Sequence, residues 1–132
     1  MKYLLDTHII LWALINDPRI DADTKEIIIN KNNMIYYSTI SPWEVEIKHA
    51  KNKSFKLSGE QFCFLCDQNK LLNLSIQNKH IQELKRIKNS DETKHSDPFD
   101  RMLIAQARSE NMILITHDQK FKNYKEKNIM II

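Results

Sequence analysis

The sequence predicts an α/β fold: a three-layer α/β/α domain with a central parallel sheet. Two observations carry that expectation. Short apolar runs, "KYLL" (2–5), "MIYYS" (34–38), "LLNL" (71–74), "ILIT" (113–116) and "IMII" (129–132), read as buried strands. Between them lie longer segments with apolar residues at helical spacing, so strand and helix alternate along the chain. Such alternation implies crossover connections and a parallel sheet covered on both faces. At 132 residues, the chain is expected to form one domain, 1–132, with a sizeable core.

Each helical segment has its own punctuation. "THIILWALI" (7–15) ends at Asn16-Asp17-Pro18, a turn that cannot continue a helix. Residues 21–32 make a second, more polar helix. Ser41 and Pro42 open a third that runs to about Asn52, and a lysine-rich turn (Lys51, Lys53, Lys56) leads to a fourth near 58–69. Residues 77–88 carry Ile81, Leu84 and Ile87 at helical spacing. The polar linker "KNSDETKHS" (88–96) then precedes a helix over 98–110, with Asp97 as N-cap and Pro98 at the first helical position.

Composition excludes several function classes. Apolar residues make up 42% and charged residues 28%, a globular profile rather than a disordered one. The apolar runs are too short to span a bilayer, so no membrane association is expected. Asp6, Thr7 and His8 interrupt what would be the apolar core of a signal peptide, which makes cytoplasmic the expected location. A single glycine, Gly59, leaves no means of building a P-loop or a GxGxxG turn. The net charge of +3 permits a nucleic-acid partner without requiring one. Cys63 and Cys66 form a CxxC pair, but they sit mid-helix among Phe62, Phe64 and Leu65 with no second ligand pair nearby. Packing thiols are the expectation there.

Four acids fall where a parallel sheet places functional groups, beyond the carboxyl ends of its strands. Asp6 follows the first strand, and Glu44 lies in the first turn of the helix after the second. Asp100 lies in the first turn of the helix that runs back along the sheet, and Asp118 lies two residues past "ILIT". Taken singly, each is accounted for by a cap: Asp6 before its helix, Asp118 before the turn at Phe121, Glu44 in a capping box with Ser41, and Asp100 likewise with Asp97. Taken together, four like charges on one rim raise one another's pKa and destabilise the fold unless a cation offsets them. Oxygen ligands without histidine or cysteine point to Mg²⁺, with Mn²⁺ as a substitute.

The blocks "LLDTH", "SPWEVEIKHAK", "HSDPFDRMLIAQA" and "LITHDQKF" resemble the PIN-domain ribonucleases, and most of all the VapC-like toxins of bacterial toxin–antitoxin pairs. The resemblance spans nearly the whole chain, with the blocks in family order. It implies strand order 3-2-1-4-5 and a Mg²⁺-dependent endoribonuclease acting on RNA. It carries the family's catalytic and metal-binding quartet onto Asp6, Glu44, Asp100 and Asp118. Thr116 matches the small hydroxyl residue that supports the last acid. Of the two acids in "DPFD", Asp100 aligns with the ligand and Asp97 is left as the N-cap. The resemblance further implies a cognate antitoxin protein as inhibitor, a homodimer, and DNA contact only indirectly, through the antitoxin.

Other residues admit milder readings. His8, His49, His80, His95 and His117 form no HxH or HExxH pattern. Arg101 is read as pairing with an acid, with a substrate phosphate as the alternative. Lys48, Lys51, Lys53, Lys56 and the stretch 119–127 offer an RNA path, or simply solvated helix faces. Trp12 and Trp43 offer base stacking, but their apolar helix patterns favour packing. Among competing functions, a phosphoacceptor signalling domain lacks its acidic pair after the first strand, and a haloacid-dehalogenase-type DxD fails at His8. A catalytically inactive RNA- or protein-binding module of the same fold remains the alternative.

Overall fold

The computed structural model describes residues 1–88 and 97–132. Along the chain run β1 (Lys2–Leu5), α1 (Thr7–Leu14), α2 (Ala22–Ile29), β2 (Met34–Ser38), α3 (Ile40–Lys51), α4 (Gly59–Gln68), β3 (Leu72–Leu74), α5 (Asn78–Glu83), α6 (Pro98–Glu110), β4 (Ile113–Thr116) and β5 (Ile129–Ile131). Short 3₁₀ turns occupy Leu84–Arg86 and Gln119–Asn123. The strands form one sheet in the order β3-β2-β1-β4-β5, and every neighbouring pair is parallel. The expected linker falls almost wholly at 89–96, with His95 and Ser96, outside the described residues.

Strand periodicity explains the three layers. Side chains alternate across a strand, so Leu4, Tyr36 and Leu114 face one side while Tyr3, Leu5, Ile35, Tyr37 and Ile115 face the other. The first set packs against Met102, Leu103 and Ile104 of α6 and Ile87 before it. The second packs against Ile9, Ile10 and Trp12 of α1, Val45 of α3, and Phe62 and Cys66 of α4. Burial pushes the Cys66 thiol up to about 12, the mark of a packing thiol, and both cysteines are free.

Local chemistry sets most boundaries. Asp21 caps α2 through Thr24 N (2.7 Å), and Ser58 and Gln61 close a capping box on α4. The second helix is shorter than its expected 21–32. It stops at Ile29, where Asn30 Oδ1 accepts from Asn32 N (2.9 Å) and turns the chain toward β2. Asn111 ends α6 in a left-handed conformation, φ 59°. Gly59 meets a packing constraint: a Cβ there would lie 2.9 Å from the Pro42 carbonyl oxygen. That close approach lets α4 dock on α3.

One expected start needs correction. The third helix begins at Ile40, not at Ser41, because Ser38 Oγ accepts from Ile40 N (3.0 Å) at the end of β2. Ser41 therefore lies inside the first turn, where its hydroxyl is released from capping.

A buried polar contact ties α5 to α6. The His80 ring is fully buried; its Nδ1 accepts from Gln77 N (3.0 Å), so the proton resides on Nε2 and is donated to Glu110 Oε2 (2.8 Å). Lys79 Nζ lies 2.8 Å from the same oxygen. Lys79 and then His80 hold the Glu110 carboxyl below its ordinary value. A depressed acid stabilises the fold above its unfolded value and loses that contribution as pH falls through the folded one. Glu110→Gln is therefore expected to cost about 1 kcal/mol at neutral pH. The melting-temperature difference from wild type should shrink toward zero once the pH is well below the usual glutamate range.

Candidate functional site

At the carboxyl end of the central strand β1, the chain passes directly into α1, with Asp6 as the N-cap. The residue is only 8% exposed. Both oxygens are engaged: Oδ1 accepts from Thr7 N (2.7 Å) and Oδ2 from Thr116 Oγ1 (2.7 Å). Burial raises the Asp6 carboxyl above its ordinary value, and the Asp118 charge adds to the rise; the Thr116 and Thr7 hydrogen bonds oppose it.

Two threonines, Thr116 and Thr7, lie between the acids. Thr116, at the end of β4, donates to Asp6 and accepts from Asp118 N (3.1 Å). Thr7 donates its one hydroxyl proton to Glu44 Oε1 (2.8 Å), so Ser41 Oγ, 2.8 Å away, donates to Thr7. This arrangement replaces the expected Ser41–Glu44 capping box: both side chains turn toward α1 instead of their own helix end. Burial raises Glu44 as well, opposed by the Thr7 hydrogen bond, with Asp6 and Asp97 pushing it further up. Lys48, one turn along α3, pulls it back.

The remaining candidates separate. Asp118 caps the turn before Phe121 by accepting from Lys120 N (2.9 Å). Asp97 is the α6 N-cap, accepting from Phe99 N (2.8 Å) and Asp100 N (3.3 Å). Asp100 lies half-buried in that helix's first turn, where its charge acts on Tyr124. Among the described residues, Arg101, expected to pair with an acid, reaches backbone carbonyls instead. Its guanidinium donates to the carbonyl oxygens of Leu84 (3.1 Å) and Ile87 (3.4 Å). Trp12 packs as expected, with the Arg19 guanidinium 4.3 Å above its ring and His117 against its edge. Trp43 is 53% exposed, with its ring against Phe99 (centroids 4.7 Å apart).

Thr7 and Ser41 have structural roles that sequence reasoning misses. The signal is present in "LLDTH" and "SPWE", but local pattern assigns such hydroxyls to caps, and their true partners lie in distant parts of the chain. Among the described residues, no group of three or more His, Cys, Asp or Glu side chains is placed to hold a metal ion as it stands. Asp6 and Glu44 are joined through Thr7, by its amide and its hydroxyl respectively, rather than at a common point.

The sequence matches the PIN domain over residues 3–127. The chain belongs to the PIN domain family. No curated protein matches it significantly. Among solved structures, it is similar to a chain of VapBC2 from Rickettsia felis, crystallised with a promoter DNA fragment. The TM-score is 0.70 and identity 24%, over 100% of this chain and 98% of that one. DNA-bound VapBC from Salmonella typhimurium matches at TM-score 0.66 and 17% identity, covering 100% and 97%. VapBC-5 from Mycobacterium tuberculosis, of the VapBC family of toxin–antitoxin systems, matches at 0.60 and 14%, covering 99% and 97%. At these identities, the PIN domain shares the fold of those chains.

The threonine hydroxyl bonds predict opposite effects from two substitutions. Thr116→Val removes a donor from a buried carboxylate and should lower stability by about 2 kcal/mol, measured by denaturant unfolding. Glu44→Gln keeps an acceptor for Thr7 while removing a charge whose folded pKa is raised. A raised acid weakens the fold as pH climbs through its ordinary value. The metal-free Glu44→Gln protein should therefore melt about a degree above wild type at neutral pH, and level with it in acid.

Proposed function

We propose that this PIN domain is a Mg²⁺-dependent endoribonuclease and the toxin of a toxin–antitoxin pair. The observation that carries the reading is the chain Thr116–Asp6–Thr7–Glu44, which ties two acids from separate elements together at the carboxyl edge of the sheet, with the Asp118 backbone amide bonded to the same Thr116 hydroxyl. Asp6, Glu44, Asp100 and Asp118 are the proposed metal-binding and catalytic residues. All-oxygen donors suit Mg²⁺ or Mn²⁺, and Mg²⁺ usually keeps several waters and takes only one or two carboxylates. An open rim without a closed cage fits that preference. When bound, such an ion supplies Lewis-acid activation of water and charge neutralisation at a phosphodiester.

The chain's own residues have definite tasks under this reading. Thr116 and the Thr7 amide fix both oxygens of Asp6, so its orientation is set before any ligand arrives. Thr7, supported by Ser41, fixes Glu44. Lys48 brings a positive charge to the Glu44 side of the rim, and Arg101 braces the chain below α6. The similarity to VapBC chains supports a cognate antitoxin partner; homodimerisation and DNA contact through that partner are proposed with it. The proposed toxin acts in the cytoplasm; no described helix is long and apolar enough to cross a membrane.

Cleavage of single-stranded RNA, with and without chelator, tests the reading. EDTA should stop cleavage and Mg²⁺ or Mn²⁺ should restore it. Asp6→Asn, Glu44→Gln, Asp100→Asn and Asp118→Asn should each reduce the rate about a hundredfold or more with the circular-dichroism spectrum unchanged. Activity that persists in chelator would remove the metal from the mechanism. Full activity in Asp100→Asn with loss in Asp97→Asn would move the third acid to Asp97. Expression alone should arrest growth and Asp6→Asn should relieve the arrest. A folded wild type that cleaves no RNA would leave the binding-module alternative.

A further inference from the structure

Thr7 bonds the carboxylates of two rim acids at once. Its amide donates to Asp6 Oδ1 (2.7 Å) and its hydroxyl to Glu44 Oε1 (2.8 Å). Ser41 Oγ lies 2.8 Å from that hydroxyl, and both side chains are buried, Ser41 at 0% and Thr7 at 2% exposure. A threonine hydroxyl has one proton to give; here it goes to Glu44, and Ser41 supplies its own to Thr7. Capping α1 needs only the Asp6 bond, so the hydroxyl bond to a second helix adds nothing to the cap. Two buried hydroxyls thus serve to orient one long, flexible carboxylate.

We propose that Thr7, backed by Ser41, makes the rim discriminate between divalent cations, favouring Mg²⁺ over Ca²⁺. The inference rests on the proposed metal-binding role of Asp6 and Glu44 and specifies which ion they accept. Selectivity between these ions depends on ligand number and ligand flexibility. Mg²⁺ demands short bonds in a near-ideal octahedron, whereas Ca²⁺ takes longer bonds, more oxygens and often both oxygens of one carboxylate. A carboxylate that turns freely therefore serves Ca²⁺ well. In this rim the Thr7 hydroxyl occupies Glu44 Oε1, which leaves Oε2 as the oxygen to give. Asp6 is held at both oxygens, by the Thr7 amide and the Thr116 hydroxyl, so it does not turn either. Because one residue holds both acids, it also ties their spacing together, and a fixed spacing adapts poorly to the larger ion. Thr7 is a positioning residue: it acts on the ion through two carboxylates.

The test is competition for Mn²⁺ in the absence of RNA. Free Mn²⁺ gives an electron paramagnetic resonance signal that is lost on binding. Titrating Mg²⁺ or Ca²⁺ into the Mn²⁺-loaded protein therefore reports their relative affinities. Wild type should release Mn²⁺ to Mg²⁺ at a lower concentration than to Ca²⁺. Thr7→Val keeps the shape and the amide but removes the hydroxyl, and should narrow that preference about tenfold. Thr7→Ser should restore most of it, and Ser41→Ala should fall between the two. Melting curves establish that each variant is folded, and Ser41→Ala carries the test if Thr7→Val is not. An equal loss of affinity for all three ions would reduce Thr7 to a structural part and overturn the proposal, as would a wild type that prefers Ca²⁺. Selective binding that depends on Thr7, without RNA cleavage by wild type, would keep the discrimination and reject the nuclease reading. Mg²⁺-dependent cleavage with an ion preference indifferent to Thr7→Val and Ser41→Ala would reject the discrimination and keep the nuclease.

Discussion

A buried carboxylate at the end of the central strand governs this molecule. Asp6 sits where β1 becomes α1, nearly out of reach of water, and its ionised form is tolerated because Thr7 and Thr116 each donate to it. Those donors come from α1 and from the end of β4, so the carboxylate's hydrogen bonds hold the β1–β4 edge together. The parallel sheet makes this possible. Every strand ends at the same edge, so the residues leaving each strand converge there. The remaining cost of the charge is visible in the raised Asp6 and Glu44 carboxyls, a cost that a ligand of opposite charge would relieve.

A second buried polar group works in the same way one strand further out. Gln106 of α6 accepts from Ser38 Oγ (2.6 Å) and donates to the Leu74 carbonyl (3.4 Å). It therefore locks the ends of β2 and β3 to the helix that carries Asp97 and Asp100. The same Ser38 hydroxyl accepts from Ile40 N and so starts α3 one residue early, which aims Glu44 at Thr7 rather than at its own helix end. The position of one acid thus depends on a serine and a glutamine that never touch it.

The strands are legible in the sequence because β-branched and aromatic runs are short and the helices between them are amphipathic. The Asp97–Pro98 start of α6 is legible because both residues act within one turn. Ser41 misleads for a physical reason: the pattern S-x-x-E is satisfied equally by a local capping box and by bonds to a distant hydroxyl. Only the fold, which brings Thr7 within 2.8 Å of both, decides between them. Trp43 is less legible because helical periodicity says which side a residue occupies, not whether another layer covers it. Position 43 falls in the first turn of α3, and Phe99 of α6 is the ring it meets. Arg101 follows an acid in sequence, yet its guanidinium reaches back to the Leu84 carbonyl, which also closes the 3₁₀ turn at Leu84–Arg86 by accepting from Ile87 N, and to the Ile87 carbonyl; periodicity alone does not disclose that turn.

The two acids of the DPFD block show how one short motif serves two purposes. Asp97 takes up the exposed amides at the start of α6 and, from there, still raises Glu44 across the rim. Asp100 stands one residue before the Arg101 brace, and its charge falls on Tyr124, in the segment after Asp118. The proline between them fixes its own φ at a helical value, which sets the first turn that Asp97 caps. Helix capping and charge placement are therefore coupled: the residue that completes the helix also acts on Glu44 across the rim.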